Sequence, residues 1–267
     1  MNETGHFHGE IVDGVAWATF NRPEVLNAYS VKMRDELIPF LRAVEHDDSV
    51  RCVVLRGAGR HFMAGGDVKS FVAEMDKPAQ ERRAAFEELC HSMHPIIYLL
   101  RRLPKPVLAS VAGACAGLGV SFVLASDLAI AADTATFTLA YLKLGTTPDG
   151  GASFFLPRAV GMKRAMEIAL LSDKLDAATA ERYGLINKVV PAEQLEEQTR
   201  LLAQRLACSA TQAAARTKAL LSSAFAHDLE THLQQEAVSF AACATTKDMI
   251  EGVTAFVQKR PAKFEGQ

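Results

Sequence analysis

Two segments carry residues suited to stabilising a developing negative charge. They are Gly57-Ala58-Gly59-Arg60-His61-Phe62-Met63-Ala64-Gly65-Gly66-Asp67-Val68 and Gly113-Ala114-Cys115-Ala116-Gly117-Leu118-Gly119-Val120-Ser121. Each follows an apolar run and precedes a helical pattern. Glycine lets the backbone approach a ligand closely, and the first N–H groups of a helix have no intrahelical partner. Each turn therefore offers donors to an oxygen carrying negative charge, and two such sources brought together make an oxyanion hole. Either turn alone is equally well a tight turn in an α/β chain. Asp67 stands where it would cap the next helix. A third segment, Thr147-Pro148-Asp149-Gly150-Gly151, presents a carboxylate in turn chemistry. There Asp149 is either a turn or capping residue or an acid–base group. His6 and His8, and His91 and His94, pair at strand and helix spacing, but no third ligand accompanies either pair, so no metal site is expected. His61 reads as a surface-loop residue near the first turn. Ser121 lacks a G-x-S-x-G elbow, which argues against a serine hydrolase.

The elements that must position these turns alternate between strand and helix. Extended patterns over residues 7–12 and 15–20 are joined by Asp13-Gly14, a two-residue hairpin signal. Ser30 can cap a helix whose apolar positions Met33, Leu37, Leu41 and Val44 keep helical spacing. A buried strand over residues 50–55 ends at Gly57. A long helix follows Pro78 to about residue 101, then strand 106–111, helix 118–124 and strand 128–131. The stretch between Pro106 and Ser126 lacks formal charge, yet its glycines read as a strand turning into a buried helix rather than a membrane span. The segment 71–83 reads as a loop. Beyond residue 195 the pattern is helical, and Met249, Val253, Phe256 and Val257 form an apolar stripe that needs a partner. The division expected is 1–200 for an α/β core and 201–267 for a helical C-terminal region.

The chain has 267 residues, 49% hydrophobic and 22% charged, with a net charge of −2. That is enough apolar material for a full core, and it excludes disorder or a fibrous chain. The charge balance gives no electrostatic reason to bind nucleic acid or anionic lipid. Cys52, Cys90, Cys115, Cys208 and Cys243 are odd in number and scattered, which argues against a disulfide framework and for a reducing compartment. With a polar start lacking an apolar h-region, a cytoplasmic protein is expected.

Several motifs in a fixed order add a resemblance. They are Asn21-Arg22-Pro23 with Leu26-Asn27-Ala28, Phe62-Met63-Ala64-Gly65-Gly66-Asp67, and Lys105-Pro106-Val107 followed by Gly113, Gly117-Leu118-Gly119 and Asp127. Leu144 to Gly151 follows, then Ala180, Tyr183-Gly184-Leu185-Ile186, and Phe256-Val257-Gln258-Lys259-Arg260 with Phe264. On these motifs residues 15–264 resemble the crotonase superfamily, the enoyl-CoA hydratase/isomerase proteins. The resemblance implies an α/β spiral of ββα units with a C-terminal helical trimerisation region, assembled as a homotrimer or dimer of trimers. It implies an acyl-CoA thioester as substrate, with coenzyme A entering as part of the substrate and no metal, nicotinamide or flavin.

By the same resemblance, the thioester oxygen sits between the N–H groups of Gly66 and Leu118. The adenine and pantetheine lie along Leu26, Ala28, Ala64, Gly65, Gly66, Asp67 and Val68, with Gly117 and Tyr141 beside the acyl group. Lys259, often from a neighbouring subunit, meets a phosphate, or simply complements a helix end. Hydratases of this family use two glutamates, and Ser121 and Tyr141 stand at those positions, so an ordinary hydratase mechanism is not expected. The surroundings of Asp149 are most similar to the ring-epoxide isomerase of phenylacetate degradation and its enoyl-CoA isomerase relatives, making Asp149 the expected base. The alternatives are a hydratase, a CoA-ester dehalogenase or hydrolase with Asp149 as nucleophile, and a silent acyl-CoA-binding homologue.

Overall fold

A computed structural model describes residues 5–267 of the chain. The order begins β1 (Phe7–Val12), β2 (Val15–Phe20), α1 (Val31–His46), β3 (Cys52–Gly57), α2 (Val68–Met75) and α3 (Ala79–Arg102). It continues β4 (Val107–Val111), β5 (Ala114–Ala116), α4 (Leu118–Ala125), β6 (Leu128–Ala132) and β7 (Thr136–Thr138), then α5 (Ala152–Val160), α6 (Met162–Leu171), β8 (Leu175–Asp176), α7 (Ala177–Tyr183) and β9 (Lys188–Val190). Four helices close the chain: α8 (Leu195–Ala207), α9 (Thr211–Ser223), α10 (Leu229–Cys243) and α11 (Lys247–Val257).

The strands form two sheets. The larger runs β1-β2-β3-β4-β6-β9, and the smaller β5-β7-β8. Asp13 and Gly14 both take positive φ, 50° and 76°, and close β1 onto β2 in antiparallel register, Val12 opposite Val15. These are the dihedral signs of the hairpin turn whose twist matches the strands. From β2 onward the large sheet is parallel. Its central strands are apolar on both faces, as a sheet covered on both sides requires. Val53, Leu55, Val107, Ala109 and Val111 face the main core with α1, α3 and α4. Cys52, Val54, Leu108 and Ile130 face the other way, onto Leu195, Ala203 and Ala207 of α8.

The architecture is a spiral. Each turn places one strand in the large sheet, a short extended piece in the small one, and then a helix. β4, β5 and α4 make one turn. β3, the bridge at Met63 and α2 make the turn before it, and β6, β7 and the 3-10 turn Ala140–Leu144 begin the turn after. The segment 106–126 thus forms β4, β5 and α4, and no described helix is long and apolar enough to cross a membrane.

Two expectations change. The segment 71–83 is not a loop: α2 ends at Met75 and α3 starts at Ala79. The eight residues of α2 carry an apolar stripe, Val68, Phe71, Val72 and Met75 at i, i+3, i+4 and i+7, but it spans only two turns and borders a cavity instead of the core. A division at 200/201 falls inside α8, which packs along the large sheet, so the helices that leave the sheet begin with α9. Arg51 and Lys218 tie that region to the core. Arg51 donates to Thr211, to the Ser209 carbonyl and to the Phe264 carbonyl, and Lys218 reaches Asp127 at 2.7 Å. Of the Met249 stripe of α11, Met249 is half-buried while Val253, Phe256 and Val257 are exposed.

The join between successive turns predicts a stability effect. Gly113 has φ +50°, and a Cβ there would stand 2.2 Å from the Arg60 carbonyl oxygen and 2.6 Å from His61 Nδ1. Gly113→Ala is expected to destabilise by about 2–4 kcal/mol through left-handed strain and overpacking. The check is the urea midpoint of unfolding. An unchanged midpoint would mean that Arg60 and His61 move aside freely.

Candidate active site

The two glycine turns lie side by side because they occupy equivalent places in consecutive turns of the spiral. Met63 N–H donates to the Ala114 carbonyl at 3.2 Å, and Ala116 N–H donates to the Met63 carbonyl at 2.8 Å. Beyond that bridge the two backbones pack in van der Waals contact. A Cβ on Gly117 would stand 3.5 Å from the Gly65 Cα, and one on Gly65 would stand 3.4 Å from the Ala116 carbonyl oxygen. Both glycines have positive φ, +91° at Gly65 and +49° at Gly117, which an L side chain adopts only under strain.

This geometry leaves two amides unspent. Tyr29 N–H donates to the Gly65 carbonyl at 2.8 Å, and Asp67 N–H donates to the Tyr29 carbonyl at 3.0 Å. In an extended segment the intervening N–H, that of Gly66, points the other way. Gly117 N–H donates to the Thr138 carbonyl, and Leu118 opens α4, so its N–H precedes the first intrahelical bond. No acceptor among the described residues engages either the Gly66 or the Leu118 N–H. Both residues border one cavity of about 930 Å³, which Tyr141 and Asp149 also line, with Phe71 of α2 and Phe86 of α3 across it. Those two rings meet edge to face at 5.1 Å.

Asp149 reaches this cavity from the turn before α5. Its backbone does the turn's work: its carbonyl accepts from Ala152 N–H at 3.1 Å and from Ser121 Oγ at 3.0 Å. Its side chain caps no helix: the N-cap of α5 is Gly151, and no side chain bonds the first turn there. Instead Tyr141 Oη donates to Asp149 Oδ1 at 2.5 Å, and Ser121 Oγ lies 3.3 Å from Tyr141 Oη. Burial raises the Asp149 pKa above the ordinary carboxylate value, opposed by the Tyr141 hydrogen bond and by the charge of His94. Tyr141 is itself pushed up by burial and then by Asp149, so it stays a neutral donor.

The other expected residues divide. Ala64, Gly65, Gly66, Asp67, Val68 and Gly117 line the cavity with Leu118. Leu26 and Ala28 stand next to that wall without lining it. Ala64 N–H donates to the Leu26 carbonyl at 3.0 Å, while Arg22 donates to the Ala28 carbonyl at 2.8 Å and to Asp67 Oδ2 at 3.0 Å. The expected cap at Asp67 is therefore absent: its carboxylate answers Arg22, a stronger partner than a backbone amide. Buried Asn27 donates to the Ala58 and His61 carbonyls, locking the Asn-Arg-Pro segment to the first glycine turn. His61 is a clasp between the turns rather than a loop residue, its Nδ1 accepting from Ala114 N–H at 3.0 Å. Lys259 is exposed just past α11, away from the cavity lining of its own chain.

Sequence reasoning reached Phe86 as a residue shaping the pocket but missed Cys90, Met93 and His94 on the same inward face of α3. Phe86, Cys90, Met93 and His94 line the cavity, and Tyr29 lines it from the opposite side. The signal was the i, i+4, i+7, i+8 spacing, which mixes titratable side chains into an apolar stripe.

The sequence matches the enoyl-CoA hydratase/isomerase family over residues 10–267. It is 38% identical over 254 residues to the 1,2-epoxyphenylacetyl-CoA isomerase of Escherichia coli (strain K12), covering 95% of this chain and 96% of that protein. It is 37% identical to 4-chlorobenzoyl coenzyme A dehalogenase-2 of Arthrobacter sp, covering 79% and 75%. The crystal structure of an enoyl-CoA hydratase from Bacillus anthracis superimposes with a TM-score of 0.90 at 30% identity, over 98% of this chain and all of that one. The three relatives carry three reaction names on one fold. On the family match, the spiral and its paired glycine turns, the chain belongs to the enoyl-CoA hydratase/isomerase family.

Proposed function

We propose that the chain is an acyl-CoA isomerase, moving a double bond or rearranging a ring epoxide conjugated to the thioester, with one aspartate as base. The observation that carries this reading is the count of usable carboxylates. Two acidic side chains line the cavity, Asp67 and Asp149, and Asp67 is paired to Arg22. That leaves one carboxylate beside the two free amides of Gly66 and Leu118. Adding water across a double bond by two carboxylates needs a second one, and Ser121 and Tyr141 cannot supply it.

In the proposed sequence the two amides bind the thioester oxygen and strengthen as it becomes an enolate oxygen, each worth roughly 10²–10³ in rate. The carbon between the carbonyl and the double bond loses its proton to Asp149 as the dienolate forms. The carboxylic acid then returns the proton at the far end of the allyl system. A carboxyl whose pKa is raised by burial suits both halves of that exchange. Coenzyme A takes part as the carrier of the acyl group, its pantetheine and adenine running beside Leu26, Ala28 and Ala64–Val68. Lys259 meets a phosphate of coenzyme A bound to a neighbouring subunit, which its distance from its own cavity supports. The reading includes a homotrimer or dimer of trimers, supported by the exposed Leu221, Phe225, Phe240, Val253 and Phe256 of the last helices and their links.

Two measurements test the reading. Proton NMR of trans-3-hexenoyl-CoA with the protein in D₂O is expected to show migration of the double bond to C2 with deuterium uptake. Asp149→Asn should lower the rate by about 10²–10⁴, and the wild-type rate should fall as acid protonates Asp149 at a pH above the ordinary carboxylate range. Transfer of ¹⁸O from labelled water to the Asp149 carboxyl during turnover would instead mark it as a nucleophile and sink the isomerase reading. Sedimentation equilibrium is expected to give three or six times the 28.9 kDa chain mass. A chain-mass species at micromolar concentration would refute the assembly.

A further inference from the structure

We propose that Tyr141 is a positioning residue that pins one oxygen of Asp149, leaving Oδ2 as the single oxygen that takes and returns the proton. The inference rests on Asp149 being the base, and it goes further by assigning the division of labour within the carboxylate. Its geometry is a three-way tie across three elements. Tyr141 rides on the 3-10 turn after β7, Ser121 on α4, and Asp149 on the turn before α5. The phenol donates to Oδ1 at 2.5 Å, the short end of the range for a hydroxyl on a carboxylate. Ser121 holds the Asp149 carbonyl at 3.0 Å. Gly150 presses the same turn against α4: a Cβ there would lie 2.6 Å from Leu118 Cδ1 and 2.9 Å from Ser121 Cβ. No side chain among the described residues donates to Oδ2.

The hydroxyl proton decides between the two roles open to Tyr141. A phenol has one O–H to give, and here it goes to Asp149. While that bond holds, Tyr141 cannot also donate to the acyl group, and a residue that merely filled space would not need its hydroxyl there. The proton balance is then local. The C2–H bond breaks as the Oδ2–H bond forms, the electron pair passes into the dienolate, and Oδ2–H, part of it exchanged with solvent meanwhile, delivers its proton to C4, restoring the carboxylate. Because Oδ1 is held, the carboxyl does not rotate between the two halves.

The charged and titratable groups around Asp149 are Tyr141 from the 3-10 turn, His94 and Cys90 from α3, and Tyr29 from the segment before α1. Burial raises the Asp149 pKa, and the Tyr141 bond and the His94 charge lower it. Removing the phenolic hydroxyl leaves His94 in place and removes one lowering influence. The carboxyl must therefore titrate at higher pH.

The test is ¹³C NMR titration of the Asp149 carboxyl in protein labelled at aspartate Cγ, assigned with Asp149→Asn. Tyr141→Phe is expected to raise that pKa by about one to two pH units, the size expected for losing a charge-assisted hydrogen bond. With substrate deuterated at C2, Tyr141→Phe should also lower the share of label carried to C4 in ordinary water and lower kcat about tenfold, with KM unchanged. Incorporation of 3-fluorotyrosine at position 141 keeps the ring and strengthens the donor, so it should move the Asp149 pKa down. An Asp149 titration that neither substitution moves overturns the proposal. The titration reads the pair itself, so it succeeds or fails independently of whether Asp149→Asn abolishes isomerisation.

Discussion

The structure depends on two stretches of backbone packed side by side at glycines whose positive φ, +91° at Gly65 and +49° at Gly117, an L side chain adopts only under strain. Gly65 and Gly117 face each other across a gap in which an added Cβ would meet main-chain atoms at 3.4–3.5 Å. Successive turns of the spiral stack in register through the Met63–Cys115 bridge, so equivalent positions of two turns fall next to each other. The free amides of Gly66 and Leu118 follow from that stacking. Neither is assembled by a mobile side chain, and neither must reorganise when charge develops on a bound oxygen. Buried Asn27, Arg22 and His61 serve the same constraint, fastening neighbouring segments to the two turns by hydrogen bonds to main-chain groups.

Against these fixed dipoles stands a carboxylate whose ionisation is balanced between opposing influences. Burial favours the neutral acid, while the Tyr141 phenol and the His94 charge favour the anion. A carboxylate fully paired with cations would be held as an anion too firmly to release and regain a proton with ease. A group buried with no donor would stay protonated. The half-paired Asp149 lies between these extremes, and only at such a point does one carboxyl serve as acid and base in a single turnover.

Much of this was legible before any coordinates. The hairpin at Asp13-Gly14, the stripe of α1 and the two donor turns followed from short-range chemistry, because a positive φ, a cap or a helical period is written within a few residues. What was not legible is what depends on distant segments. Asp67 has the composition of a cap, but Arg22, 45 positions earlier, claims its carboxylate. His61 has the look of a loop residue, yet its ring holds the second turn. Helix α2 is only eight residues long, so its stripe of Val68, Phe71, Val72 and Met75 is too short to stand out as a periodic signal. The bond between Tyr141 and Asp149 spans a turn whose path the sequence does not fix, so the loss of two glutamates was readable but the use made of one replacement was not.

Helix α3 connects the cavity to the outer helices. Its middle turns line the cavity with Phe86, Cys90, Met93 and His94, and its last turn is gripped from α9. Lys218 donates to the Leu100 carbonyl and pairs with Asp127, and Arg101 reaches Ser222. Lys218 is buried, and burial pulls its pKa down while Asp127 holds it up. Breaking that pair would leave a buried charge unanswered, a penalty of about 3–5 kcal/mol, so the grip is firm. The helices that present bare apolar faces to the outside are thereby coupled mechanically to the wall opposite Asp149. Covering those faces would restrain α3 as well as bury surface, and the shape of the cavity depends on the same contacts that hold α9 against the core.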